Sequence, residues 1–126
     1  MPALTLQLLD SPYAVCRLPA DASAPSPPPG SFSLLIRAVE ETTLVCPLDQ
    51  APGDAEIDPG WRCLRILQVF DFSVAGILAS VLGPLARSGI GIFASSTFST
   101  DYVLVKASDL DRAVEALAGA GHTIET

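Results

Sequence analysis

The chain is poor in the residues that most site chemistry requires. Histidine occurs once among 126 residues, as His122. A multi-histidine metal site within one chain is thereby excluded. His122 follows Gly119-Ala120-Gly121 and reads as a helix-end or strand-edge histidine rather than a catalytic one. Cysteine occurs three times, as Cys16, Cys46 and Cys63. The count is odd and no two are close, so neither a disulfide framework nor a zinc knuckle is suggested. Each lies in an apolar, strand-like run and reads as a small buried hydrophobe in a reducing, cytoplasmic setting. Positive charge is scarce too. Seven Lys and Arg stand against fourteen Asp and Glu, a formal net charge of −7. Such a surface repels phosphate backbones, which argues against non-specific nucleic-acid binding. No run of about 20 apolar residues exists, so no membrane-spanning helix is expected. The N-terminus does not read as a signal peptide, because Asp10 and Pro12 cut its apolar run and no basic residue precedes Arg17. No P-loop, dinucleotide glycine pattern, metal cluster or nucleophile–base pair appears. No cofactor, no metal and no enzymatic activity are therefore expected.

What is present suffices for a core. Apolar residues make up 49% and charged residues 17%, a balance that excludes long-range disorder. The halves differ. Ten of the eleven prolines precede residue 61, and so do eight acids against Arg17 and Arg37 alone. After Gly60 the balance is six acids to five bases. The expected division is residues 1–60 and 61–126.

The second half has a regular rhythm. Residues 61–70 are rich in branched and aromatic side chains and follow the turn signal Asp58-Pro59-Gly60, which favours a strand. Ser73 is placed to cap a helix whose apolar stripe is Val74, Ile77, Leu78, Val81, Leu82 and Leu85. Pro84 interrupts that pattern one turn before Ser88-Gly89 ends it. Ile90, Ile92 and Phe93 suggest a strand, residues 95–100 a hydroxyl-rich connection, and Tyr102 to Val105 another strand. Ser108 and Asp111 have capping-box spacing before a stripe of Leu110, Ala113, Val114, Leu117 and Ala118. His122 to Glu125 supply a last strand. The order is βαββαβ, a ferredoxin-like α+β arrangement with an antiparallel sheet.

The first half supplies strands and little helix. Leu4 to Leu9 suggest an edge strand, and Tyr13 to Leu18 a second. The prolines at 19–29 make residues 19–30 an extended loop. Phe32 to Ala38 and Thr42 to Cys46 suggest a hairpin around Glu40-Glu41, and residues 47–60 a loop.

Particular stretches carry a resemblance. They are Tyr13 to Leu18 with Pro19-Ala20-Asp21, Thr43 to Pro47, and Gly60-Trp61-Arg62. In the second half they are Asp71-Phe72-Ser73, Gly76-Ile77-Leu78, Pro84-Leu85-Ala86, Ser88-Gly89-Ile90, Ile92 to Thr97 and Thr100 to Val105. Together they resemble the ACT-domain family. More narrowly, they resemble small bacterial proteins with tandem ACT-like lobes, related to aspartate kinase regulatory domains and animal arginine sensors. Two departures stand: Phe98, where similar sequences usually carry Tyr, and the proline-dense stretch 25–29. The resemblance implies a helix-poor ACT-like lobe paired with an intact one. It also implies a homodimer and a small molecule, often an amino acid, bound near a lobe or subunit interface. The contacting residues it implies are Asp71, Phe72, Ser73, Val74, Gly76, Ser95, Ser96, Thr97 and Asp101.

The chemistry of these residues suits a zwitterion. A helix N-terminus offers free amides and partial positive charge to a carboxylate. Asp71 and Asp101 can pair with an amino group, while Ser95, Ser96 and Thr97 add donors and acceptors. The expectation is a non-catalytic regulatory module that binds an amino acid. The alternative is a ligand-free dimerisation or scaffold module.

Overall fold

Leucines at alternate positions put one face of the first strand into a core. Leu4 and Leu6 are buried, and the strand they lead, β1 (Thr5–Leu8), has a partner on each side. The computed structural model in which this is seen describes residues 3–23, 26, 31–71 and 73–126. The proline-rich positions 25 and 27–30 lie outside the described residues. The chain divides into two compact units, Ser11–Trp61 and Met1–Asp10 with Arg62–Thr126.

The Ser11–Trp61 unit is built from β2 (Tyr13–Leu18), β3 (Leu34–Arg37), β4 (Thr42–Pro47) and the start of β5 (Glu56–Ile66). The strand order is β3-β4-β2-β5, and each neighbouring pair is antiparallel. The β3–β4 hairpin closes with the Ala38 N–H donating to the Glu41 carbonyl at 3.0 Å, as the sequence leads one to expect. Ala14, Cys16, Leu18, Leu44 and Cys46 form its core. Two expectations are corrected here. Residues 47–60 are not wholly loop: a 3-10 turn covers Leu48–Gln50 and β5 begins at Glu56. Asp58-Pro59-Gly60 is not a turn but a bulge inside β5. Tyr13 faces Trp61 and Val15 faces Asp58, so two residues of β5 oppose one of β2. Gly60 takes the positive φ of 81° that such a bulge requires, and Pro59 sits where a ladder donor is dispensable.

The other unit contains the rest of β5, then α1 (Ile77–Arg87), β6 (Ile92–Ser96), β7 (Asp101–Lys106), α2 (Leu110–Gly119) and β8 (Thr123–Glu125). Its strand order is β8-β1-β5-β7-β6. The βαββαβ order is present, with β1 inserted between the first and last of its strands. β1 is therefore not an edge strand. It runs antiparallel to β5 and parallel to β8. Ile77, Val81 and Leu85 of α1 and Ala113 and Leu117 of α2 pack on Leu4, Leu6, Leu64, Ile66, Val103 and Val105. Burying one such Leu or Ile contributes about 2 kcal/mol, so this layer dominates the unit's stability.

Both helix starts differ from expectation. α1 begins at Ile77, four residues after Ser73, and its N-cap is Gly76 at φ 85°. Val74 consequently lies outside the helix and is exposed. The reason is local. Asp71 Oδ1 accepts the Ser73 N–H at 3.1 Å, and the Asp71 carbonyl accepts the Val74 N–H at 2.9 Å. This turn uses the amides that a helix from Ser73 would have needed. At α2 the N-cap is Asp109, after a 3-10 turn over Ala107–Asp109, and no side chain caps it. Asp109 instead holds Arg112 at 3.0 Å, so Ser108 and Asp111 make no capping box. Ala118, placed on the buried stripe, is exposed.

His122 is buried, and both its ring nitrogens are used. Nδ1 accepts the Leu4 N–H at 3.1 Å, and Nε2 lies 2.9 Å from the Ser80 carbonyl. A nitrogen that accepts cannot carry the proton, so Nε2–H donates to Ser80. The three cysteines are free and buried. Burial pushes the Cys63 thiol up to about 12. Burial, then the nearby Cys16, pushes Cys46 up to about 12. Burial also raises Cys16, against a lowering hydrogen bond with Cys46. Thiols held protonated in this way are poor nucleophiles.

Candidate ligand-binding site

A pocket of about 270 Å³ opens beside the start of α1, between the chain leaving β5 and the β6–β7 turn. Six of the nine expected residues line it: Asp71, Val74, Gly76, Ser96, Thr97 and Asp101. Ser73 is exposed and does not line it. Ser95 lies on β6 opposite Tyr102 and does not line it either. Phe72 lies outside the described residues.

The pocket has a polar end and an apolar wall. At the polar end, Ser96 and Asp101 face each other across the β6–β7 ladder, and the Ser96 hydroxyl donates to Asp101 Oδ1. The turn between them is tied at its base. The Thr97 N–H donates to the Thr100 carbonyl at 2.7 Å, and the Thr100 N–H donates to Thr97 Oγ1 at 3.2 Å. Thr100 Oγ1 then donates to the Ile66 carbonyl at 2.6 Å, fixing the turn to the end of β5. Opposite stands the first turn of α1. The Gly76 carbonyl accepts the Ser80 N–H at 3.0 Å. The amides of Ile77, Leu78 and Ala79 precede the first helical bond and give that end partial positive charge. Gly76 contributes a backbone angle rather than a gap, since nothing lies within 4 Å of where its Cβ would stand. The apolar wall consists of Ile66, Phe70, Val74, Ile77 and Leu78.

Among the described lining residues two are carboxylates and none is basic. Chemically, the pocket can hold a cation at Asp71 and Asp101 and an anion at the α1 terminus. No group of three metal-ligating side chains occurs among the described residues. Sequence reasoning missed Thr100, whose hydroxyl anchors the turn, although the Thr97–Thr100 spacing is a recognisable hydroxyl-turn signal. It also misses Phe70, because residues 61–70 read as one strand whereas β5 ends at Ile66.

An ACT-domain model matches residues 56–119, just over half of the chain. The chain belongs to the ACT-domain family. It is 29% identical to the cytosolic arginine sensor for mTORC1 subunit 1 of Pongo abelii, over 93% of this chain and 39% of that protein. It thus spans about 39% of the length of the curated relatives it matches. A crystal structure of a protein from Agrobacterium tumefaciens is 38% identical, with a TM-score of 0.90 over 98% of this chain and 93% of that one. The ligand-free regulatory subunit of aspartate kinase from Thermus thermophilus shares the fold, with a TM-score of 0.65 and 18% identity over 94% of this chain and 98% of that one. No helix of the described residues is long and apolar enough to cross a membrane.

Proposed function

We propose that the chain is a non-catalytic, cytoplasmic regulatory module that binds an amino acid in the pocket between the α1 terminus and the β6–β7 turn. The carrying observation is the placement of Asp71 and Asp101 around the same pocket as the first turn of α1. An α-ammonium fits the carboxylates and an α-carboxylate fits the amides. With two acids and no base among the described lining residues, a ligand of net positive charge is favoured. The relatives named as arginine sensors make L-arginine the first ligand to test. Ser73 and Ser95, which do not line the pocket, and Phe72, which lies outside the described residues, belong to the same proposal as candidate ligand-binding residues. A thermal-shift screen against the common amino acids tests it. Any ligand that binds only the folded chain raises the midpoint, and a flat response to all of them at millimolar concentration removes the reading.

One observation favours self-association as well. Among the described residues β6 pairs with β7 alone. Its sequence, Ile92-Phe93-Ala94-Ser95-Ser96, holds no charge and no proline to discourage another strand. We read this edge as a homodimer contact that places the pocket near a subunit interface. A dimerisation module without ligand is the version of this reading in which the thermal screen stays flat. Light scattering that shows a monomer at all concentrations contradicts the dimer.

A further inference from the structure

The two walls of this pocket are tied to one backbone step, Leu4-Thr5, that lines neither of them. On the α1 side the tie runs through Ser80. Its N–H donates to the Gly76 carbonyl at 3.0 Å and its hydroxyl to the Ile77 carbonyl at 2.7 Å, which closes the helix turn beside the pocket. Its own carbonyl accepts His122 Nε2–H at 2.9 Å, and His122 Nδ1 accepts the Leu4 N–H at 3.1 Å. On the other side the tie runs through Thr5. Its N–H donates to Gln68 Oε1 at 3.0 Å, and its carbonyl accepts the Leu67 N–H at 2.9 Å. These bonds pin the chain just past Ile66, whose carbonyl holds Thr100 and with it the β6–β7 turn.

We infer that His122 and Gln68 are positioning residues of the pocket, which set the spacing between its walls by anchoring both to Leu4-Thr5. This inference rests on reading the pocket as an amino-acid site. The carboxylate and ammonium of an amino acid are carried by one carbon, so their separation is nearly fixed. The amides of α1 and the carboxylates of Asp71 and Asp101 must match that separation, yet they stand on different elements. A site that reads two charges at once needs such support behind the groups that touch the ligand. The His122 tie also carries a chemical condition. Nδ1 accepts the Leu4 N–H only while it bears no proton. In acid an imidazole is protonated on both nitrogens and can only donate. The ring and the Leu4 N–H then oppose each other, and the α1 wall loses its anchor. The charged groups on the elements packed around the ring are Arg87 on α1, Asp111, Arg112 and Glu115 on α2, and Glu125 on β8, and all are exposed. β1 carries none.

The test is calorimetric titration of L-arginine into wild type, His122→Gln and Gln68→Leu at pH 7.5 and pH 5.5, with circular dichroism showing each protein folded under both conditions. Glutamine offers an acceptor and a donor on one planar group, as the neutral ring does, but takes up no proton. Wild type is expected to weaken about tenfold between pH 7.5 and 5.5, the loss of about one hydrogen bond. His122→Gln is expected to bind as wild type does at pH 7.5 and to keep that affinity at pH 5.5. Gln68→Leu is expected to weaken binding about tenfold at both. An acid loss as large in His122→Gln as in wild type, or wild-type affinity in Gln68→Leu, overturns the inference and leaves the amino-acid site standing. Should His122→Gln fail to fold, Gln68→Leu decides by the same criterion. If wild type binds no L-arginine at pH 7.5, the site reading fails and takes this inference with it.

Discussion

His122 and Pro84 are coupled through one carbonyl oxygen. The Ser80 carbonyl would ordinarily accept the N–H of residue 84, but proline has none. His122 Nε2–H supplies the missing donor at 2.9 Å, while Nδ1 accepts the Leu4 N–H at 3.1 Å. One imidazole thus satisfies a broken helix and the lead-in to β1 together. This is why the only histidine of the chain is buried in a structural role, and why the proline is tolerated inside α1.

His122→Ala is expected to cost about 3 kcal/mol, because two buried backbone groups lose their partners. In a Pro84→Ala background the same change is expected to cost about 1 kcal/mol less, since the restored amide at 84 serves the Ser80 carbonyl. Chemical denaturation of the four proteins measures the coupling, and strictly additive losses contradict the shared-carbonyl account.

Stability should fall at alkaline pH. The Cys63 thiol is raised from an ordinary 9.0 to about 12 in the fold. The folded state therefore holds this proton more tightly than the unfolded state. The contribution is complete below about pH 9 and is lost as pH rises toward 12, at up to about 1.4 kcal/mol per pH unit for each such thiol. Denaturation midpoints between pH 7 and 11 should show the decline, and Cys63→Ala should make it shallower by one thiol's share, leaving the part that belongs to Cys46 and Cys16. An equally steep decline in that variant assigns it to other groups.

Gly60→Ala is expected to cost about 1–2 kcal/mol at the β5 bulge. Nothing lies within 4 Å of the position its Cβ would take, so the loss is conformational and follows from φ 81°. Gly60→Asn, which tolerates that region better, should cost less. Equal losses for the two would point to some other cause.

The sequence made parts of this legible and left others out of reach. The β3–β4 hairpin and both helices show in local periodicity, because their backbone hydrogen-bond partners are close along the chain. β1 shows as a strand in its alternating leucines, but its central place does not, because its partners are Leu64–Ile66 and Thr123–Glu125 and nothing in Thr5 to Leu8 encodes so distant a choice. Asp58-Pro59-Gly60 has the composition of a turn, and a bulge needs the same residues. At the pocket, the lining positions Asp71, Ser96, Thr97 and Asp101 could be named from the resemblance, and Thr100 is not among them. The place of Ser73 could not, since Asp71 offers its amide an alternative partner that competes with helix initiation.

Asp101 is the group on which the proposed site most depends. It opens β7, is held by Ser96, and faces the pocket beside the end of β5. Asp101→Asn preserves its shape and removes its charge. It should leave stability within about 0.5 kcal/mol, as a partly exposed position implies, while weakening any cationic ligand at least tenfold. A matching loss of fold and binding would assign Asp101 to structure instead.

The most direct test of the account is a calorimetric titration of L-arginine into the purified chain and into Asp101→Asn. The account predicts a saturable heat with wild type that disappears or weakens at least tenfold in the variant. No saturable heat with wild type, or identical isotherms for the two proteins, would contradict it.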